Sequence, residues 1–255
     1  MKSFVIAGAA ASIALLALGS PAIAQRQGPP PGPPPPAKQG APIDLTGTWV
    51  SIVNEDWRWR MLTPPKGDYM SVPLSPAGKK VADAWDPSRD GSCKAYGVGG
   101  LLRMPTRVRI DWESDEVLKI ETDAGQQTRR LYFKKDALPP AGSKTLQGRS
   151  LATWEYAKRI GSGMGFGGGA RIPGGSLAVV TTDVQSAWVR RNGVAYSDAA
   201  VVKEFFDRFP TPDGNEWFVV TTVIEDPYFS QPYITSSQFR REPDSAKWRP
   251  TPCKE

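Results

Sequence analysis

Four carboxylates, one arginine and one tyrosine carry the chemistry this sequence could perform. Glu121, Glu155, Glu204 and Asp183 fall in or at the ends of strand-like segments, and Arg130 and Tyr132 share one such segment. A carboxylate held ionised by an arginine, beside a second carboxyl whose burial raises its pKa, can take a proton from one carbon and return one elsewhere. Arg130 would keep Glu121 or Glu204 ionised, and Tyr132 or Tyr156 would supply a phenolic proton. The reaction class is cofactor-free elimination or isomerisation, a lyase or isomerase. The opposing reading is structural. Alternation sets Leu118, Ile120 and Thr122 on one face and Lys119 and Glu121 on the other, and puts Glu155 opposite Ala152, Trp154 and Tyr156. On a simple barrel those carboxylates point into water. Asp183 ends a strand, where it could rim a pocket, and Asp226-Pro227 opens a turn.

The chain has no histidine. That removes Ser-His-Asp and Cys-His triads and nearly all zinc, copper and haem sites. No Asp-x-Asp-x-Asp-Gly loop is present for calcium. The expectation is therefore no metal and no cofactor. Gly163-x-Gly165-x-x-Gly168 matches the dinucleotide fingerprint in letters only. The segment after it breaks at Pro173-Gly174 and enters a strand, where the fingerprint needs a helix to receive the phosphates. The Gly-rich insert at 161–175 reads instead as a loop. Met164, Phe166 and Ile172 could make it a lid over a hydrophobic mouth, or it is a plain surface loop.

Nine Trp, seven Tyr and nine Phe supply aromatic surface. Trp57 and Trp59 are two apart and face the same way if the chain is extended there. With Tyr96, Trp112, Trp154 and Tyr228 they are expected to line a cavity for a flat apolar ligand, while most other aromatics form core.

The elements that must position these groups are mostly strands. Alternating or β-branched runs bounded by turn residues predict strands near 47–54, 106–112, 116–122, 128–134, 151–156, 177–183, 201–208, 216–225 and 233–241. Trp112-Glu113-Ser114-Asp115, Asp123-Ala124-Gly125 and Pro212-Asp213-Gly214-Asn215 supply tight turns. Such a succession predicts an antiparallel meander closing into a barrel. One helix is well marked, capped by Ser75, with Pro76 at its first position and Asp86-Pro87 as its stop.

Residues 1–24 read as a signal peptide: Lys2, an uncharged run from Phe4 to Leu18, then Ala22-Ile23-Ala24. The apolar run is short of the ~20 residues that span a bilayer, and no later segment is long enough. The chain is therefore expected in the periplasm or outside the cell, with no transmembrane segment. Residues 25–42, rich in Pro and Gly, read as a disordered tether, and 43–255 as a single domain. The formal charge is +6, of which Lys2, Arg26 and Lys38 lie outside that domain. The remainder is too weak and scattered to imply a nucleic-acid partner. Cys93 and Cys253 are expected to form a disulfide in an oxidising compartment, contributing about 4–5 kcal/mol by the chain-entropy argument.

Asp44-Leu45-Thr46-Gly47-Thr48-Trp49 resembles the Gly-x-Trp start of lipocalin-like barrels. The resemblance implies that Trp49 closes one end and that a late arginine, Arg240 or Arg241, packs over it. Over residues 90–240 the chain also resembles a group of exported, largely uncharacterised bacterial β-barrel proteins. The resemblance is carried by Cys93, Glu121 with Arg129-Arg130, Trp154-Glu155, Val179-Val180-Thr181-Thr182, Glu204-Phe205-Phe206 and Glu225-Asp226-Pro227. The long Gly-rich insert and Phe205, where the group often has arginine, depart from that pattern. The resemblance thus implies fold and export rather than chemistry. Together these readings predict an all-β, antiparallel, lipocalin-like barrel with one or two short helices, acting as a lyase or isomerase on a hydrophobic, aromatic small molecule. The alternatives are a non-catalytic binder of such a ligand and an envelope interaction protein.

Overall fold

The computed structural model describes residues 33–89, 91–158 and 171–254. The predicted signal peptide, the first part of the tether and most of the Gly-rich insert lie outside the described residues. From Pro35 onward the chain forms one compact unit.

The elements run in the order β1 (Gly47–Ile52), α1 (Trp57–Arg60), α2 (Pro76–Ala84), α3 (Val98–Leu101), β2 (Arg107–Ser114), β3 (Val117–Thr122), β4 (Ala124–Gly125) and β5 (Thr128–Tyr132). They continue with β6 (Arg149–Lys158), β7 (Arg171–Thr182), β8 (Ala187–Arg190), β9 (Val194–Tyr196), β10 (Val201–Pro210), β11 (Glu216–Glu225), β12 (Tyr233–Arg241) and β13 (Thr251–Pro252). The nine longer barrel strands close in the order β1-β12-β11-β10-β7-β6-β5-β3-β2, with β1 joining the two ends of the meander. These nine are the predicted strands, and the fold is an all-β, lipocalin-like barrel. Every seam is antiparallel except one. β5 and β6 run parallel and share only two paired positions, Leu131 with Ser150 and Tyr132 with Leu151. The predicted helix is α2, with the Ser75 hydroxyl accepting from the Gly78 amide at 3.2 Å.

Inward-facing side chains stack along the barrel in layers. At one end Trp49, Phe206, Phe218 and Phe239 form an apolar cluster with Val108, Ile120 and Leu177, all essentially buried. Phe218 stacks on Phe239 at 4.6 Å and meets Trp49 edge-on at 5.0 Å. Arg241 lies 5.5 Å from the Trp49 ring, and the Trp49 indole donates to the Leu45 carbonyl at 2.9 Å. Arg241 also bonds Glu216 at 2.5 Å. That bond, with the neighbouring Arg208, holds the Glu216 carboxyl below its usual range. At the other end Val202, Ile224 and Tyr233 pack with Val98, Val189 and Tyr196 from α3, β8 and β9. Those last elements close the barrel as a plug. A polar layer lies between the two clusters: Arg129, Glu204, Ser150 and Thr181, all buried.

Two expectations need correction. Among the described residues the inward side chains form two packed apolar clusters and a polar layer, where a partly empty, aromatic-lined interior is the expectation. The tether also ends earlier than predicted. Residues 35–42 dock on the barrel as a strap, with Ala37 and Ala41 packed against the core. The Trp154 indole donates to the Ala37 carbonyl at 2.8 Å, and the Tyr156 hydroxyl to the Gly40 carbonyl at 2.9 Å.

Cys93 and Cys253 are disulfide-bonded over a sequence separation of 160. The bond fastens the tail, whose β13 adds to β4, onto the short helical turn Ser92–Tyr96. Replacing both cysteines by serine is expected to lower the unfolding free energy by roughly 2–5 kcal/mol, measured by urea denaturation. An unchanged midpoint would show that the tail is held by its backbone pairing alone.

Candidate functional site

The predicted acid–base residues do not converge. Glu204 alone points inward, and its partner is Arg129 rather than Arg130. Arg129 Nη1 donates to Glu204 Oε1 at 2.9 Å, and Nη2 donates to Oε2, making a bidentate pair. Arg129 Nη2 also donates to Thr181 Oγ1 at 2.9 Å, and Nε to Ser150 Oγ at 3.2 Å. The two charged side chains are 1% and 0% exposed. Every oxygen of Glu204 is engaged and water is excluded, so this carboxylate is a structural brace rather than a base.

The other predicted acid–base residues lie on the outer face. Arg130 is exposed and bonds Glu113 at 2.7 Å. Glu121 pairs with Lys119 at 3.1 Å, and Glu155 is exposed. Tyr132 shares the outward face of β5 with Arg130. The physical reason is the strand period of two: Arg129 and Leu131 go in, so Arg130 and Tyr132 go out. Asp183, at the end of β7 in a left-handed conformation, bonds Arg149 at 2.8 Å.

Of the predicted aromatic cavity residues, Trp59 lines a pocket. Trp57 and Trp59 do not face the same way, because α1 makes a helical turn and two residues on a helix differ by roughly 200°. Trp57 is 59% exposed. Trp112 and Trp154 pack against Phe133 as tilted rings beneath the strap. Tyr96 packs against Gly125, whose positive φ of 77° brings the backbone within reach of the ring. Tyr228 lies against Gly78 of α2.

The pocket lies at the plugged end, outside the filled interior. Trp59, Arg60 and Met61 come from α1 and its cap, Gly100 and Arg103 from α3 and the turn after it, and Trp188 and Arg190 from β8. Its volume is about 230 Å³. A second depression of about 290 Å³ continues it, sharing Thr63, Ala95, Trp188 and Arg191. Ala95 belongs to the turn that the disulfide fastens.

Three guanidiniums crowd this pocket. Arg103 and Arg190 are 5% and 4% exposed, and Arg60 is half-buried. Arg103 Nη1 bonds Asp56 Oδ2 at 2.9 Å and also donates to Thr235 Oγ1. Arg60 Nε donates to the Arg103 carbonyl at 2.8 Å, and Arg190 Nη1 to the Met70 carbonyl at 2.6 Å. The Arg190 guanidinium lies 4.7 Å from the Trp59 ring centre. Burial, reinforced by the Arg103 charge, lowers the Arg60 pKa to about 10. Burial likewise lowers that of Arg190, against the opposing pull of Tyr233 and Asp56. Nearby, Asp56 holds a left-handed backbone at φ 51° without capping α1 by its side chain. Among the described residues, no group of His, Cys, Asp or Glu is placed to hold a metal ion.

Sequence reasoning missed Arg60, Arg103 and Arg190. Trp57-Arg58-Trp59-Arg60 was the visible signal, since alternating indoles and guanidiniums in so short a span mark a cation-rich aromatic wall.

No family model matches this chain, and no solved structure does. Over 84 residues the chain is 32% identical to the mouse (Mus musculus) pleckstrin homology domain-containing family G member 5, covering 33% of this chain and 8% of that protein. The chain therefore spans under a tenth of that relative's length, and the likeness carries no functional argument. The barrel is the class of protein established here, and its pocket must be read from its own residues.

Removing the carboxylate from the buried brace leaves a guanidinium in the core without a counter-charge. Glu204→Gln is expected to cost roughly 3–5 kcal/mol of stability. Glu121→Gln and Glu155→Gln, on the outer face, are expected to stay within about 0.5 kcal/mol. Equilibrium denaturation of the three variants checks this order.

Proposed function

We propose that this chain is an exported binding protein that holds a small, flat, hydrophobic molecule at the plugged end of its barrel. The observation that carries the reading is the pocket between Trp59 and Trp188, seated at the rim of a barrel whose interior is full. The pocket volume of about 230 Å³ falls below the ~300–1,000 Å³ of drug-sized sites, which suits a ligand of one or two rings. Indole walls offer such a ligand large apolar contact at little side-chain entropy cost. Export is supported by the leader-like start and by the Cys93–Cys253 disulfide. Among the described residues no helix is long and apolar enough to cross a membrane.

One observation favours a second reading, in which the bound molecule is also turned over. Asp56, Arg103 and Tyr233 bring a carboxylate, a guanidinium and a phenol together beside the pocket, with Arg103 2.9 Å from Asp56 and 5.8 Å from the Tyr233 ring centre. These are the residue types expected for lyase or isomerase chemistry, on different positions from those predicted. Asp56 in its left-handed conformation is the candidate base, since strained backbone collects at working sites.

Native mass spectrometry of protein purified from its own cell envelope is expected to show a co-purifying small molecule. The adduct should disappear in Trp59→Ala while the barrel's circular dichroism is retained. Full retention of the adduct in Trp59→Ala would place the ligand elsewhere.

A further inference from the structure

The guanidiniums at the pocket carry more positive charge than the protein itself neutralises. Asp56 is the carboxylate bonded to Arg103, and Glu55 is engaged by the Gln238 amide at 3.1 Å. Arg60 and Arg190 have no carboxylate within ion-pair distance among the described residues. Donors are also left over. Arg103 Nε, Arg60 Nη1 and the Trp59 indole Nε1 are buried without a hydrogen-bond partner, and the Arg190 guanidinium has the Tyr233 hydroxyl beside it with Nε itself unpaired. An unmade hydrogen bond from a buried polar group costs about 1–3 kcal/mol, more when it is charged. Clustering several such donors in one pocket is sustained where a ligand supplies the acceptor. Arg103 and Arg190 are both more than nine-tenths buried and both line the pocket, so their orientation comes from packing rather than from solvent.

We propose that the ligand of this pocket is an organic anion: a carboxylate on a planar ring, with the carboxylate received by Arg60, Arg103 and Arg190 and the ring laid against Trp59. This inference rests on the binding reading above and names the chemistry of its ligand. Guanidiniums suit the role because their planar forks pair with both oxygens of a carboxylate and are weakly hydrated enough to be held in a buried site. The ring completes the match. Arg190 lies over Trp59 and Arg58 approaches the same indole at 5.4 Å, so a ligand ring would lie along the indole beside the guanidiniums that receive its carboxylate. Burial first, and the Arg103 charge second, lower the Arg60 pKa, and an anion at the pocket would favour its charged form. The groups facing Arg60 are Arg103, Asp56, Glu55 and Tyr233, and of these only Arg103 opposes its charge.

The test uses benzoate, its neutral isostere benzamide and inorganic phosphate, titrated calorimetrically into the full mature chain. Benzoate is expected to bind at least tenfold more tightly than benzamide and to quench tryptophan emission. Arg60→Gln and Arg190→Gln should each erase that preference, while Trp59→Phe should retain it with less quenching. The preference should hold between about pH 7 and pH 9 and decline above about pH 10, where Arg60 gives up its proton. Equal binding of benzoate and benzamide overturns the anion inference and leaves the pocket reading standing. Binding of phosphate without benzoate overturns the planar-ring part. If none of the three binds and no adduct co-purifies, the binding reading itself falls.

Discussion

The fold depends on one buried ion pair. Arg129 on β5 reaches past β6 and β7 to Glu204 on β10, touching Ser150 and Thr181 on the way. It crosses the weakest join of the barrel, the parallel seam with only two paired positions. Four strands are thus braced from inside where backbone pairing is thinnest. Such a pair contributes little net stability against an apolar isostere, because desolvating two charges offsets most of their attraction. Its value is geometric: either charge left alone in the core is strongly penalised, so the strands are fixed in the one register that joins them.

That brace also decides where a ligand can bind. Lipocalin-like barrels can hold a guest in the middle, but here Arg129 and Glu204 occupy the middle, with phenyl rings on one side and the α3, β8 and β9 plug on the other. The pocket proposed to bind a ligand lies instead at the outer surface of the plug. There the buried charges are of one sign. In the core each guanidinium nitrogen of Arg129 has an acceptor, whereas at the pocket Arg103 Nε, Arg190 Nε and Arg60 Nη1 have none among the described residues. The contrast between a satisfied and an unsatisfied cluster in one small domain separates the core brace from the pocket proposed to bind.

The barrel was legible from sequence because its strands alternate cleanly, and all nine predicted segments became barrel strands. The inward arginine was legible too, and was misassigned by one position: Leu131 on the core face implies Arg129 beside it, not Arg130. Alternation says which side chains face inward, but not whether their summed volumes leave space, so the packed clusters along the described interior could not be read from it. The pocket was illegible for a different reason. Arg60, Arg103 and Arg190 come from three separate elements, and no local period links them. Only the plug's long-range packing brings them together. Trp57 and Trp59 misled because a single helical turn interrupts what reads as extended chain.

The strap at 35–42 makes the tether part of the fold. Its carbonyls take the Trp154 indole and the Tyr156 hydroxyl, and its alanines cover the core beneath them. A cut within it would strip the cover from Trp112, Phe133 and Trp154 in one step, baring a sticky aromatic face at the barrel's edge. The barrel's aromatic edge and the segment before β1 are therefore one structural piece, and the stretch from Pro35 belongs to the domain rather than to the arm that precedes it.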